Sequence, residues 1–190
     1  MRISSLAASR ILGITPNDVA DLVAVGLLPQ PERQGRRWAH LEEDVKALLP
    51  DTDTGRWDDA SLLESAFVVR MGPPKLEEAE WETRKFIGLA IGAYPGESPE
   101  DSEKHRREAV SRWWPAKNPS VLKGLPIVAT VAGGYVGAVY RIDPDEEPER
   151  MLGRVAFKLI DCDPKTASKY LGHKLKLPPG PQAYSLPRSA

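Results

Sequence analysis

The sequence predicts an α+β protein, a small helical unit followed by a larger mixed unit, and three observations carry that expectation. The first 50 residues place apolar side chains at helical spacing between clear helix starts and stops. The stretch "PDTDTGRWDD", Pro50 to Asp59, then breaks the pattern with clustered Pro, Asp, Thr and Gly. Beyond it, two β-branched runs flank Gly133-Gly134, a dipeptide suited to the positive backbone angles of a tight hairpin. The predicted division is 1–50, a linker over 51–61, an α+β unit over 62–177 holding a small curved sheet or half-barrel, and a Pro-rich tail over 178–190.

In the first unit, Leu6, Ala7, Ile11 and Leu12 form one apolar stripe, and Gly13 closes that helix. Thr15 is the N-cap of a second helix, with Pro16 at its first position and Asp18 three residues after the cap, where an acid suits the positive helix end. Val19, Leu22, Val23 and Val25 supply its inner face, and Gly26 stops it. Two short helices joined by a tight Gly-containing turn make a helix-turn-helix pattern. "PERQGRRWAH" reads as a charged hairpin around Gly35, and "HLEEDVKALL" as a closing helix capped near Ala39 or His40.

Farther on, "SAFVVRMG" reads as a strand and "KLEEAEWETRKFIGLAIGAY" as an amphipathic helix ending near Gly92. After the loop "PGESPEDSE", "DSEKHRREAVSRWW" is a helix stopped before Pro115, its basic run a solvated face. "LPIVATVAGGYVGAVYRID" is the hairpin and "GRVAFKLID" a further strand. "DPKTASKYLG" is a short helix with Asp163 as cap, Pro164 at its first position and Gly172 as its stop. The tail "LPPGPQAYSLPRSA" is extended.

Composition limits the function classes. With 26 Lys+Arg against 27 Asp+Glu the net charge is −1, so nucleic-acid binding must rest on a local patch. The single Cys162 excludes an intramolecular disulfide and a cysteine-based zinc site, and its flanking acids disfavour a reactive thiolate. His40, His105 and His173 lie far apart in no metal-ligand spacing, so no metal is assigned. The segment "VAGGYVGA" lacks the Lys of a phosphate loop, and nothing matches a nucleophile elbow. The expectation is a non-enzymatic protein without a cofactor, cytoplasmic, with neither a secretion leader nor a membrane span.

"AASRILGIT", "VGLLP", "GRRW" and "EEDVKALL" together resemble the small winged-helix domains of the MerR-like and phage-excisionase class, over about the first 50 residues. The resemblance implies that the helix from Pro16 to Val25 enters a major groove of double-stranded DNA and that the wing around Gly35 contacts phosphate or the minor groove. It makes Asn17 and Asp21 base-facing candidates, with Arg10 and Thr15 beside them. Arg33, Arg36 and Arg37 become phosphate contacts, and Trp38 a packing aromatic. The departure is that Asp18 and Asp21 stand in a helix that commonly carries Arg. The unit holds six basic and six acidic residues, so one copy should bind weakly and need a homodimer or a protein partner.

"SRWWPAK", the hairpin, "GRVAFKLID" and "KYLGHKLKLPPGPQAYSLP" are similar, more loosely, to small PUA-like barrel domains over about residues 65 to 187. That resemblance implies a base-stacking pocket at Arg112, Trp113 and Trp114. The leading expectation is a sequence-specific DNA-binding protein, either a transcriptional regulator or an excisionase-like recombination factor, whose second unit senses, dimerises or recruits. The alternatives are a reader of modified or single-stranded nucleic acid through the second unit, and a protein-interaction adaptor.

Overall fold

Each of the first two helices starts where a side chain can take up a leading backbone amide, and local sequence supplies that side chain. β1 (Arg2–Ile3) leads into α1 (Ser5–Leu12), where the Ser4 hydroxyl accepts from the Ala7 amide and Gly13, at φ 66°, ends the helix. α2 (Pro16–Ala24) opens with the predicted capping box: Thr15 accepts from the Asp18 amide at 3.1 Å, and Asp18 accepts from the Thr15 amide at 2.9 Å. The inner face of α1 is Ala8, Ser9 and Leu12, rotated from the predicted stripe, so Leu6 is left 52% exposed. The structure is a computed structural model, and it describes residues 1–35, 37–51, 56–57, 65–79, 82–177 and 183–186.

β2 (Glu32–Gln34) and β3 (Arg37–Leu41) pair antiparallel across Gly35, and β3 also pairs with β1 to give the order β1-β3-β2. α3 (Glu42–Lys46) is shorter than predicted, because the amides of Leu48 and Leu49 turn back by only three residues, onto the carbonyls of Val45 and Lys46. Its N-cap is Leu41, with no side-chain cap, instead of Ala39 or His40. His40 lies in β3 with Nε2 3.1 Å from the Ser5 hydroxyl; burial lowers its pKa from the ordinary value, and Asp44 partly opposes that.

The second unit begins with β4 (Ala66–Arg70), as predicted. The predicted amphipathic helix after it does not form; β5 (Lys75–Leu76) and β6 (Phe86–Ile87) instead pair antiparallel. Helical spacing of the apolar residues loses here to three other interactions. The Leu89 amide donates to Gly72 at 2.9 Å, and Gly88 sits at φ 80° so close to Pro73 that a Cβ would lie 2.1 Å from its carbonyl oxygen. Glu77 and Glu82 each accept from backbone amides one and two residues on, bonds that compete with helical ones.

α4 (Pro99–Ser111) starts two residues earlier than predicted, capped by Ser98. β7 (Pro126–Thr130) and β8 (Val136–Ile142) form the predicted hairpin, with Gly133 and Gly134 at φ 72° and 85°. The single strand predicted from "GRVAFKLID" is two. β9 (Glu149–Met151) pairs with β10 (Arg154–Ala156), and the chain bends at Phe157 and Lys158 into β11 (Leu159–Asp161), which joins β8. α5 (Pro164–Ala167) is capped by Asp163 as predicted, and β12 (Ala183–Leu186), from the Pro-rich tail, pairs with β4.

The main sheet has the order β11-β8-β7-β4-β12, with β4 and β7 parallel and its other pairs antiparallel. It stays open, and among the described residues no barrel closes, contrary to what the second resemblance implies. The side chains of β4 alternate between two apolar clusters. Phe67 and Val69 enter one apolar cluster and Ala66 and Val68 another, so both faces of the sheet are already covered.

The first of those clusters also contains Ala8, Leu12, Val19, Leu22 and Val45, so the N-terminal helices and the sheet share one core. Tyr135 fastens that junction. It is fully buried, its hydroxyl donates to the Leu48 carbonyl at 2.8 Å, and its ring meets the edge of Trp57 at 4.9 Å. Burial pushes its phenol up to about 12. Tyr135→Phe should lower unfolding free energy by about 1–2 kcal/mol through the unpaired Leu48 carbonyl, and Tyr135→Ala by about 3–5 kcal/mol. Urea unfolding of the two variants would measure both.

Candidate nucleic-acid interface

The sequence-predicted site residues fall into three places. In the first, the β2–β3 hairpin lifts its polar side chains into solvent: Arg33 and Arg37 are exposed and Trp38 is 63% exposed. Arg33 and Trp38 are cross-strand partners, so antiparallel pairing puts both on one face of the hairpin. The Arg33 Nε donates to the Gly35 carbonyl at 3.2 Å, which ties the side chain to the turn. Arg37 makes no hydrogen bond or ion pair to a described residue, and Arg36 lies outside the described residues. Trp38 is therefore not the packing aromatic the resemblance implied. Its position on the outer face leaves Ala39 and His40 to supply the buried part of β3.

The second place is α2 and its approach. Arg10 and Asn17 are exposed, and Asn17, Ala20 and Ala24 form an outward face at helical spacing. The Thr15 hydroxyl is spent on Asp18, donating to its carboxylate at 2.8 Å while accepting from its amide. Asp21 departs from the expectation. Half-buried one turn after Asn17, it lines, with Thr15 and Asp18, a cleft that Arg70, Lys174 and Lys176 also line.

The third place, Arg112, Trp113 and Trp114, is wired into the protein. Trp114 is buried, its indole donates to the Val110 carbonyl at 2.7 Å, and its backbone exchanges two 2.9 Å hydrogen bonds with Val155. The Trp113 indole donates to Glu82 at 2.8 Å, and the Arg112 guanidinium to the same carboxylate at 3.3 Å. Arg84 pairs with Glu82 at 3.2 Å and donates to the Arg112 carbonyl at 2.5 Å. These bonds anchor both indoles within the protein, with Trp114 buried and Trp113 half-buried. Glu82 was missed in the sequence because it stood inside the predicted helix, where an acid reads as solvated.

The predicted solvated face of α4 is likewise partly structural. Arg106 donates to the carbonyls of Ala90, Ile91 and Gly92, holding the loop that reaches the N-terminal unit through the Ile91 amide and the Val25 carbonyl, 2.8 Å apart. Among the described residues no group of three or more His, Cys, Asp or Glu is placed to hold a metal ion, and no helix is long and apolar enough to cross a membrane. Burial and then the Asp163 charge push the Cys162 thiol up.

Glu82 gives this cluster a pH signature. Burial of its carboxyl favours the neutral form, but the Trp113 indole, the Arg84 amide and the guanidiniums of Arg84 and Arg112 outweigh it and hold the pKa below the ordinary 4.5. A carboxyl with a lowered folded pKa stabilises fully above its unfolded value and loses that contribution as pH falls through the folded one. Wild type should thus lose stability below about pH 4.5, while Glu82→Gln, weaker by about 3 kcal/mol at neutral pH, should show a flatter acid limb. Thermal melts across pH 3 to 7 would test this; parallel curves for the two proteins would count against it. No family model matches this chain, and no curated protein or solved structure matches it at a significant level.

Proposed function

We propose that the chain is a sequence-specific double-stranded DNA-binding protein, with the β2–β3 hairpin as its main contact and the outer face of α2 beside it. The observation that carries this reading is the hairpin itself, where exposed Arg33 and Arg37 and a solvent-facing Trp38 surround a glycine turn. Guanidinium groups pair with phosphate oxygens and release condensed counterions, which supplies affinity. Asn17 carries a carboxamide able to bond an adenine edge from the exposed face of α2. Trp38, with Arg33 on the same face, offers an apolar plane against sugar or an unstacked base at the minor groove.

The rest of the unit adds no basic field, so affinity rests on the hairpin and on a second copy or a protein partner that doubles the contacts. This reading suits a transcriptional regulator or a recombination accessory factor, and it calls for no enzymatic step. The reading of single-stranded nucleic acid through Trp113 and Trp114 has less support, since the polar atoms of both indoles are used inside the protein.

Binding to duplex DNA measured against salt tests the proposal. Arg33, Arg36 and Arg37 changed together to Ala should reduce the slope of log K against log salt by about 3, near one per lost phosphate contact. Trp38→Ala should weaken binding with the slope nearly unchanged. No binding by the wild type at low salt, in any oligomeric state, would overturn the reading.

A further inference from the structure

The cleft bordered by Asp21 has a volume of about 870 Å³, within the range of small-molecule sites. Its walls come from different parts of the chain and carry opposite charge. Asp18 and Asp21 line it from α2, three residues apart, and Arg70 at the end of β4 and Lys174 and Lys176 after α5 line it from other elements. Between them the lining is apolar, with Ile14, Met71, Val131 and Leu175, beside the bare backbone of Gly133 and Gly134.

The architecture holds this space open. Gly134 is locked to Leu175 through a 2.8 Å hydrogen bond, so close that a Cβ would lie 2.1 Å from the Leu175 oxygen, and Gly133 abuts the Ile14 side chain. Lys174 lies 5.0 Å over the Tyr135 ring and is fixed by the same buried tyrosine that joins the two units. Asp18 is committed to the cap of α2. The side chains of Asp21 and Lys176, in contrast, make no hydrogen bond or ion pair with any described residue. They form no ion pair with each other across the gap either, so each charge is available to something between them.

We infer that this cleft binds a short peptide with free termini and apolar side chains. Its ammonium would lie against Asp21, its carboxylate against Lys176, and its side chains over the apolar floor. A ligand of two or three residues, about 3.5 Å each when extended, is small enough for a volume of about 870 Å³. A ligand with one charge leaves the opposite wall unpaired and desolvated, which is what selects a zwitterion. This site does not depend on the DNA-binding reading.

Isothermal titration of the full chain with Leu-Leu, N-acetyl-Leu-Leu and Leu-Leu-amide tests the assignment. The free dipeptide should bind, and each blocked form should bind at least about tenfold more weakly, the cost of one lost charge-assisted pairing. Asp21→Asn should weaken Leu-Leu to the level of the acetylated peptide, and Lys176→Gln to that of the amide. Both positions are on the surface of the cleft, and circular dichroism would verify that each variant is folded. Absence of binding by the free dipeptide, equal binding of free and blocked peptides, or wild-type affinity in folded Asp21→Asn would each overturn it.

Discussion

Tyr135 is enclosed on three sides: its hydroxyl on the Leu48 carbonyl at the exit of α3, its ring against the edge of Trp57, and the Lys174 ammonium over its face. A phenol buried this completely must find an acceptor, because an unpaired one costs more than the hydrogen bond itself returns. The acceptor it finds belongs to the N-terminal unit, some 87 positions away along the chain. That requirement sets where α3 ends relative to the β7–β8 hairpin, and through the shared apolar cluster it sets where α1 and α2 lie on the sheet. The two glycines before Tyr135 make the approach possible: with no Cβ at 133 or 134, the turn can press against Ile14 on one side and the Leu175 backbone on the other.

The consequence is that the N-terminal helices are not a free module on a tether. Ile91 donates its amide to Val25 at the end of α2, and Arg106 from α4 grips the three carbonyls of that same loop, Ala90 to Gly92. A displacement of α2 would therefore have to be accommodated by the loop, by α4 and by the cleft together. The outer strand β2 stands apart from this web, since it is exposed throughout and its side-chain bonds to described residues are local or to Arg2.

How much of this was legible in the sequence depended on the range of the forces involved. Caps and turns are decided within a few residues, so Thr15-Pro16, Gly13, Gly133-Gly134 and Asp163-Pro164 all announced their structure, and the open hairpin at Gly35 followed from the same chemistry. The segment from Lys75 to Ala90 did not. Its apolar spacing matched a helix, but Gly88 against Pro73 and Glu82 between two arginines are contacts with distant or doubled-back chain, which no local period encodes. β12 is similar: a Pro-rich tail shows extension, yet only the exposed edge of β4 supplies a partner. For the candidate site, the arginines at 33 and 37 were readable from composition. Trp38 was not, because whether an aromatic packs or projects depends on which face of β3 meets the core.

Charge placement on α2 follows from the same division of labour. In sequence, Asp18 and Asp21 look like a defect in a helix meant to approach phosphate. In the fold, Asp18 completes a cap, and Asp21, half-buried one turn after Asn17, borders the exposed face while lining a cleft that Arg70, Lys174 and Lys176 also line. Charge alone does not decide which way α2 faces. The register of α2 is fixed instead by Val19, Leu22 and Val25 in the core. Under the proposed DNA-binding reading, Asp21 beside Asn17 counts against α2 as the main source of affinity, and that reading therefore rests on the exposed hairpin arginines, which lie outside this register.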